Sequence, residues 1–168
     1  MVILGIDPGL NATGYGLLEA QRARLRCIAA GAIRPPRTRP LEARLAQIHE
    51  TLVTLIDRHR PQIAVLEQLF THQAYLTTAS LMGHARGVAC LAVQQRGLTL
   101  AEYPPAQVKK SLTGSGAASK EQVARMVAHW LGGLDPSWSS DATDALALAI
   151  VHAHLSRQRE RLPAEVGG

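Results

Sequence analysis

Four acidic residues have the type and the placement that suit binding of a divalent metal ion. Asp7 ends an apolar run at residues 2–6, and Glu67 ends a second apolar run at residues 63–66. Asp141 and Asp144 lie three positions apart at the start of a helical stretch, where residues i and i+3 share a face. Carboxylates that meet at strand ends repel one another unless a cation lies among them. The pattern therefore predicts a divalent-metal site with hard oxygen ligands.

The composition is typical of one folded domain with an anionic partner. The chain has 168 residues, of which 46% are hydrophobic and 18% are charged, and its formal net charge is +5. A basic protein with an acidic, metal-binding centre suits phosphodiester chemistry on nucleic acid. We expect residues 1–156 to form a single domain and residues 157–168 a flexible tail. Because no apolar run is long enough to span a membrane and no signal peptide is visible, we expect a cytoplasmic protein.

Hydrophobic periodicity predicts an α/β fold. Strands are predicted at residues 2–7, 14–20, 25–33, 62–68 and 98–103. Helices are predicted at residues 41–59, about 74–95 and 106–112, and two more begin near Ser119 and Ser140, each a candidate N-cap. The first three strands form an antiparallel meander, and a right-handed crossover places the fourth strand beside the first. The result is a five-stranded mixed sheet with helices on both faces, in which Asp7 and Glu67 lie side by side.

Simpler interpretations of single residues remain open at this point. Asp7 begins a common Asp-Pro-Gly turn sequence, and Asp141 would also favour the positive end of a helix dipole without any ligand. Phe70 is either a core aromatic or, as the only Phe in the chain and three residues after Glu67, a side chain at the mouth of the site. An aromatic in that position would stack on bases or wedge between them.

Six motifs, in order along the chain, resemble those of the bacterial RuvC crossover-junction endodeoxyribonucleases. The motifs are Gly5-Ile6-Asp7-Pro8-Gly9, Thr13-Gly14-Tyr15-Gly16, Glu67-Gln68-Leu69-Phe70, Gly83-His84-Ala85-Arg86-Gly87, Gln107-Val108-Lys109 and Asp141-Ala142-Thr143-Asp144-Ala145-Leu146-Ala147. The resemblance runs from residue 2 to about residue 155. It implies an RNase H-like fold, a homodimer, and metal-dependent nicking of two opposed strands of a four-way (Holliday) DNA junction in recombination and repair. It also implies the branch-migration proteins RuvA and RuvB as partners.

Functional residues carry over from the family by position. The family's catalytic carboxylates match the four acids above; its functional aromatic and its important lysines match Phe70, Lys109 and Lys120. Some members have a histidine where Asp141 stands, so this chain resembles the all-acidic version of the site. The segment at residues 71–78 departs from the family, because it looks one residue longer and less basic.

The basic residues have two interpretations each. Lys109 and Lys120 flank a Gly/Ser loop and are either solvated charges or phosphate contacts that position DNA. Arg34, Arg37 and Arg39 lie in a Pro-rich connector and either extend the basic surface or only increase solubility.

Two-metal hydrolysis predicts the cofactor. We expect two Mg²⁺ ions per site, with Mn²⁺ also supporting activity, and Asp7 as the bridging ligand because it follows the central strand. Three rival functions remain: an RNase H-like nuclease that acts on RNA or a hybrid, a two-domain sugar-kinase or actin-like phosphotransferase, and a junction-binding protein without enzymatic activity.

Overall fold

A computed structural model of the chain describes residues 1–21, 24–68 and 76–161. Within these ranges the strands are β1 (Val2–Asp7), β2 (Thr13–Gln21), β3 (Arg24–Ile33), β4 (Ile63–Glu67) and β5 (Thr99–Tyr103). The helices are α1 (Leu41–His59), α2 (Leu76–Gln95), α3 (Pro105–Thr113), α4 (Lys120–Leu131) and α5 (Ser140–Arg161). The element order is the predicted one, and most bounds differ from the prediction by one or two residues.

The strands form one mixed sheet in the order β3-β2-β1-β4-β5. β1 pairs antiparallel with β2, and β2 pairs antiparallel with β3, as the meander predicts. β1 and β4 pair in parallel with Ile6 opposite Leu66, so Asp7 and Glu67 follow at the same edge of the sheet. The predicted pairing of the first and fourth strands is confirmed.

Helices cover both faces because side chains alternate along each strand. On one face, Leu4 and Ile6 of β1 pack with Ile48 of α1 and Ala89 of α2. On the other face, Ile3 belongs to a second core cluster that includes buried residues of α3, α4 and α5. The sheet is therefore the middle layer of three, and both of its faces are buried.

Helix ends follow local capping chemistry, with one correction. Ser119 and Gln122 form the predicted capping box at the start of α4. The assignment of Ser140 as the cap of α5 is wrong by one residue, because the Ser139 hydroxyl accepts the backbone N–H of Ala142 at 3.3 Å. The Thr143 hydroxyl in turn donates to the Ser139 carbonyl at 3.1 Å.

The C-terminal helix continues past the predicted end of the domain. α5 runs to Arg161, so the tail boundary predicted at residue 157 falls within this helix. Residues 162–168 lie outside the described part of the chain. Among the helices in the described ranges, none is both long enough and apolar enough to cross a membrane.

Candidate active site

The turn after β1 determines where Asp7 is presented. The hydroxyl of Thr13, a fully buried residue, donates to the Gly9 carbonyl at 2.8 Å, and the Gly9 N–H donates back to it at 3.4 Å. From α1, the Arg44 guanidinium donates to the Leu10 carbonyl at 3.0 Å. The loop that follows Asp7 is therefore anchored both to the start of β2 and to α1.

A glycine seam, made of Gly5, Gly14 and Gly16, lets α5 lie directly on β1 and β2. A Cβ added at Gly5 would lie 1.9 Å from the Ala145 carbonyl oxygen, and one at Gly14 would lie 2.0 Å from the Asp141 carbonyl oxygen. Both positions exclude any side chain because the neighbouring atoms belong to the backbone of α5. This close approach brings the N-terminal end of α5, with Asp141 and Asp144, beside the end of β1.

The four predicted carboxylates line one cleft with a cavity volume of about 480 Å³. The same cleft is lined by both predicted lysines, so the residues that meet there are Asp7, Glu67, Asp141, Asp144, Lys109 and Lys120. Phe70 and residues 71–75 lie outside the described residues, and residues 76–78 are the first of α2.

Burial and mutual repulsion make Asp7 the most perturbed acid in the cleft. Burial raises the pKa of Asp7, and the carboxylates of Asp144, Glu67 and Asp141 raise it in that order, so that against the opposing charge of Lys120 the pKa rises from 3.8 to about 7. Burial also raises the pKa of Glu67, with Asp144 adding to the effect, while Lys109 and Lys120 oppose it. The cleft therefore favours a cation near these two strand ends.

Two basic side chains approach the carboxylates of α5. The Lys120 ammonium lies 3.3 Å from Oδ2 of Asp144, and this contact raises the pKa of Lys120. The Arg34 guanidinium donates to Oδ2 of Asp141 at 2.9 Å. Among Arg34, Arg37 and Arg39 of the connector, Arg34 is thus the one that forms an ion pair with a cleft carboxylate within the described residues.

The donor set fits a hard divalent cation. It consists of carboxylate oxygens on two strand ends and one helix turn, the ligand type that Mg²⁺ and Mn²⁺ prefer. Within the described ranges, no three His, Cys, Asp or Glu side chains are already arranged as a metal cluster. Two of the acids are instead paired with Arg34 and Lys120, so a metal ion would compete with these two cations for the carboxylates.

Sequence reasoning did not identify Arg86 as a residue of the site. Its guanidinium donates to the Glu67 carbonyl at 2.5 Å and pairs with the Glu102 carboxylate. The side chain is only 14% exposed, and it links α2 to the ends of β4 and β5. The one sequence signal was an arginine among the small residues of the motif at residues 83–87, to which we assigned no role.

Comparison with known proteins identifies the family of this chain. A protein-family model described as crossover junction endodeoxyribonuclease RuvC matches residues 3–152. The chain belongs to the RuvC family. It is therefore an enzyme, a nuclease of the crossover junction endodeoxyribonuclease class, and the family prediction is confirmed.

Relatives of known identity match over almost their whole length. The crossover junction endodeoxyribonuclease RuvC of Bradyrhizobium diazoefficiens is 46% identical over 166 residues, which is 99% of this chain and 93% of that protein. The protein of the same name from Halorhodospira halophila is 48% identical over 152 residues, or 90% of this chain and 89% of that one. These matches argue against the two-domain phosphotransferase and the non-enzymatic binding protein.

A solved structure of the same family has the same fold. Thermus thermophilus RuvC in complex with a Holliday junction substrate aligns with a TM-score of 0.86 and 32% identity, and the alignment covers 95% of this chain and 96% of that chain. The predicted RNase H-like α/β fold, with a five-stranded mixed sheet, is confirmed.

Proposed function

We propose that this chain resolves four-way DNA junctions by metal-dependent nicking of two opposed strands during recombination and repair. The observation that carries the proposal is the single cleft lined by Asp7, Glu67, Asp141 and Asp144, with two lysines beside them. The relationship to RuvC proteins, one of which was solved with a Holliday junction, supports the choice of substrate.

Each carboxylate has a separate task in this proposal. Asp7 would be the ligand common to two divalent ions because it ends the central strand, between β2 and β4. Glu67 would help to hold one ion, and Asp141 or Asp144 would help to hold the other. When bound, the two ions, Mg²⁺ or alternatively Mn²⁺, activate a water molecule and stabilise the leaving oxygen.

The basic and aromatic residues position DNA. Lys109 and Lys120 contact phosphates at the cleft, where Lys120 also offsets charge that develops on the scissile group. Phe70 stacks on or wedges between bases where paired strands open at the junction. All three roles belong to the proposal.

Symmetric nicking calls for a homodimer with two cleavage sites related by a twofold axis. An exposed face of α2 supports this arrangement, because Gly83 and Gly87 have no atoms of the described chain within 4 Å of an added Cβ, and Leu91 follows on the same face at 50% exposure. Ala85 is fully buried in the core and does not belong to that face. We further propose RuvA and RuvB as partners and the cytoplasm as the site of action.

The test is a cleavage assay with Asp7→Asn as the inactive variant. Labelled immobile and mobile four-way junctions, duplex DNA and an RNA–DNA hybrid are incubated with wild type and variant, with and without Mg²⁺ or Mn²⁺. We expect paired symmetric nicks in junctions that require metal and fall by more than about a hundredfold in Asp7→Asn, because a bridging ligand has been removed.

Other outcomes would contradict the proposal in distinct ways. Cleavage confined to the hybrid would indicate a different RNase H-like nuclease. Tight junction binding without cleavage under either metal would indicate a binding protein, and in that case Asp7→Asn would leave every activity unchanged.

A further inference from the structure

Arg34 occupies a defined position at the edge of the candidate active site. It is the first residue after β3, between the buried residues Ile33 and Pro35, so its backbone is held while its side chain projects outward. Pro35 restricts the chain further because its ring fixes φ and also limits the residue before it. The guanidinium reaches across to Oδ2 of Asp141, a residue 107 positions later in the chain, at 2.9 Å.

The contact is specific to Arg34 among the basic residues of its connector. Arg37 and Arg39 are exposed, and neither forms an ion pair within the described ranges. General attraction of a basic segment to an acidic cleft would not single out one of the three. The position of Arg34 next to the end of β3, which lies beside the start of β2, explains the difference, since Gly14 of β2 also contacts the backbone of Asp141.

The contact leaves most of the guanidinium free for a further partner. One nitrogen of Arg34 contacts one oxygen of Asp141, and a guanidinium has five N–H donors in all. The Arg34 side chain is 54% exposed, so rotation away from the carboxylate costs little packing. The guanidinium fork matches the geometry of a phosphate as well as that of a carboxylate, so the same side chain is able to pair with either group at the edge of the cleft.

We propose that Arg34 exchanges partners during the catalytic cycle. In the free protein it neutralises and orients Asp141, and it competes with a divalent cation for that carboxylate. Once metal and junction are bound, the guanidinium transfers to a backbone phosphate of the DNA beside the cleft. This inference rests on the proposed function, since it assigns a positioning residue to the same metal site.

Metal affinity is the readout that separates this role from a merely structural one. Mn²⁺ binding to the DNA-free full-length protein is measured by titration calorimetry for wild type, Arg34→Gln, Arg34→Lys and the control Arg37→Gln. Arg34→Gln should bind Mn²⁺ about twofold to fivefold more tightly than wild type, because the competing guanidinium is gone. This range corresponds to the free energy of an exposed ion pair. Arg37→Gln should bind Mn²⁺ as wild type does.

Junction cleavage tests the second half of the exchange. Under single-turnover conditions at saturating Mn²⁺, Arg34→Gln should cleave about tenfold more slowly than wild type, since a phosphate contact has been lost. Arg34→Lys keeps the charge without the planar fork, so it should retain wild-type Mn²⁺ affinity and still cleave more slowly. Thermal melting of each variant verifies that the fold is intact.

The outcomes distinguish this inference from the function on which it rests. Loss of Mn²⁺ binding in Asp7→Asn, together with tighter binding and slower cleavage in Arg34→Gln, supports both. If Mn²⁺ binds to wild type but with equal affinity to Arg34→Gln, or if Arg34→Gln cleaves at the wild-type rate, the exchange is overturned and the proposed function stands. If wild type does not bind Mn²⁺ at all, both are overturned.

Discussion

Asp7 retains a proton up to near neutral pH in the metal-free protein, because burial and the neighbouring carboxylates together raise its pKa to about 7. A divalent metal ion must displace that proton in order to bind to Asp7 below this pH. The unfolded chain lacks both burial and neighbours, so its Asp7 ionises near 3.8. The difference between the two states links the stability of the fold to pH.

The raised pKa predicts that Asp7→Asn stabilises the metal-free protein relative to the wild type, and that this gain grows as pH rises from about 4 to 7. Folding favours the protonated form, so the wild type loses stability as pH rises from about 4 through 7. One pKa unit corresponds to about 1.4 kcal/mol, which puts the loss above pH 7 at up to about 4 kcal/mol. Urea unfolding in EDTA at pH 5 and pH 8 should show a larger Asp7→Asn advantage at pH 8.

The exposed carboxyl of Glu50 on α1 provides the control for this measurement. Glu50→Gln should change stability little, and equally at both values of pH. Equal stability of Asp7→Asn and wild type at pH 8 would mean that the carboxylates do not strain the metal-free fold. Added Mn²⁺ should reverse the order, because it stabilises only a protein that binds it.

At the scale of elements, the position of α5 depends on residues that have no side chain. The glycine seam places the backbone of α5 against β1 and β2, and the two carboxylates near the start of this helix therefore lie in the same cleft as Asp7. Arg86 has a comparable effect on the other side of the cleft, where it holds the end of β4 through the Glu67 carbonyl. Packing thus determines the site geometry before any ligand binds.

The seam predicts that Gly14→Ala impairs both stability and cleavage. The added Cβ would lie 2.0 Å from a backbone oxygen of α5, so the helix must move. Such overpacking costs about 1–3 kcal/mol, and the displaced carboxylates should lower cleavage by at least about tenfold. Ala46→Ser, a small change at an exposed position of α1, is the control and should leave stability and cleavage close to those of the wild type. A fully active, stable Gly14→Ala protein would contradict the argument.

Local patterns predicted the elements well and their contacts less well. The spacing of Leu45, Ile48 and Leu52 predicted α1 at residues 41–59, and the helix has those bounds. The cap of α5 was misplaced because Ser139 and Ser140 are chemically equivalent in sequence. The need for a glycine at position 14 was not predictable, since the backbone that it contacts belongs to α5, more than a hundred residues later in the chain.

At the scale of the whole molecule, an exposed apolar face on α2 lies apart from both core clusters. Leu91 is 50% exposed on this face, one helical turn beyond Gly87. Exposed leucine next to glycine permits close approach of a second helix, so this face suits a twofold contact.

Leu91→Arg should shift the protein from dimer to monomer, because the twofold axis would bring two like charges together. Light scattering across a concentration series measures the change, and junction cleavage should lose its pairing of nicks. Leu134→Arg is the control, since Leu134 is 37% exposed but lies beyond α4. If Leu91→Arg forms dimers over the same concentration range as wild type, the dimer interface lies elsewhere.

The candidate site was largely predictable because its acids follow strands or open a helix, positions that local periodicity identifies. All four carboxylates and both lysines line the cleft as expected. The partners of Arg34 and Arg86 were not predictable, since a single charge in a connector or helix does not reveal which distant element it contacts. Those contacts are determined by tertiary packing alone.

The glycine seam has a consequence for genetics. Every missense change at Gly5 or Gly14 adds at least a β-carbon, and the space for that carbon is already filled by the backbone of α5. In a random-mutagenesis screen for loss of junction resolution, these two codons should yield inactive alleles as densely as the codon for Asp7. Sequence changes that never touch a reacting atom would then be scored, correctly, as defects of the active site.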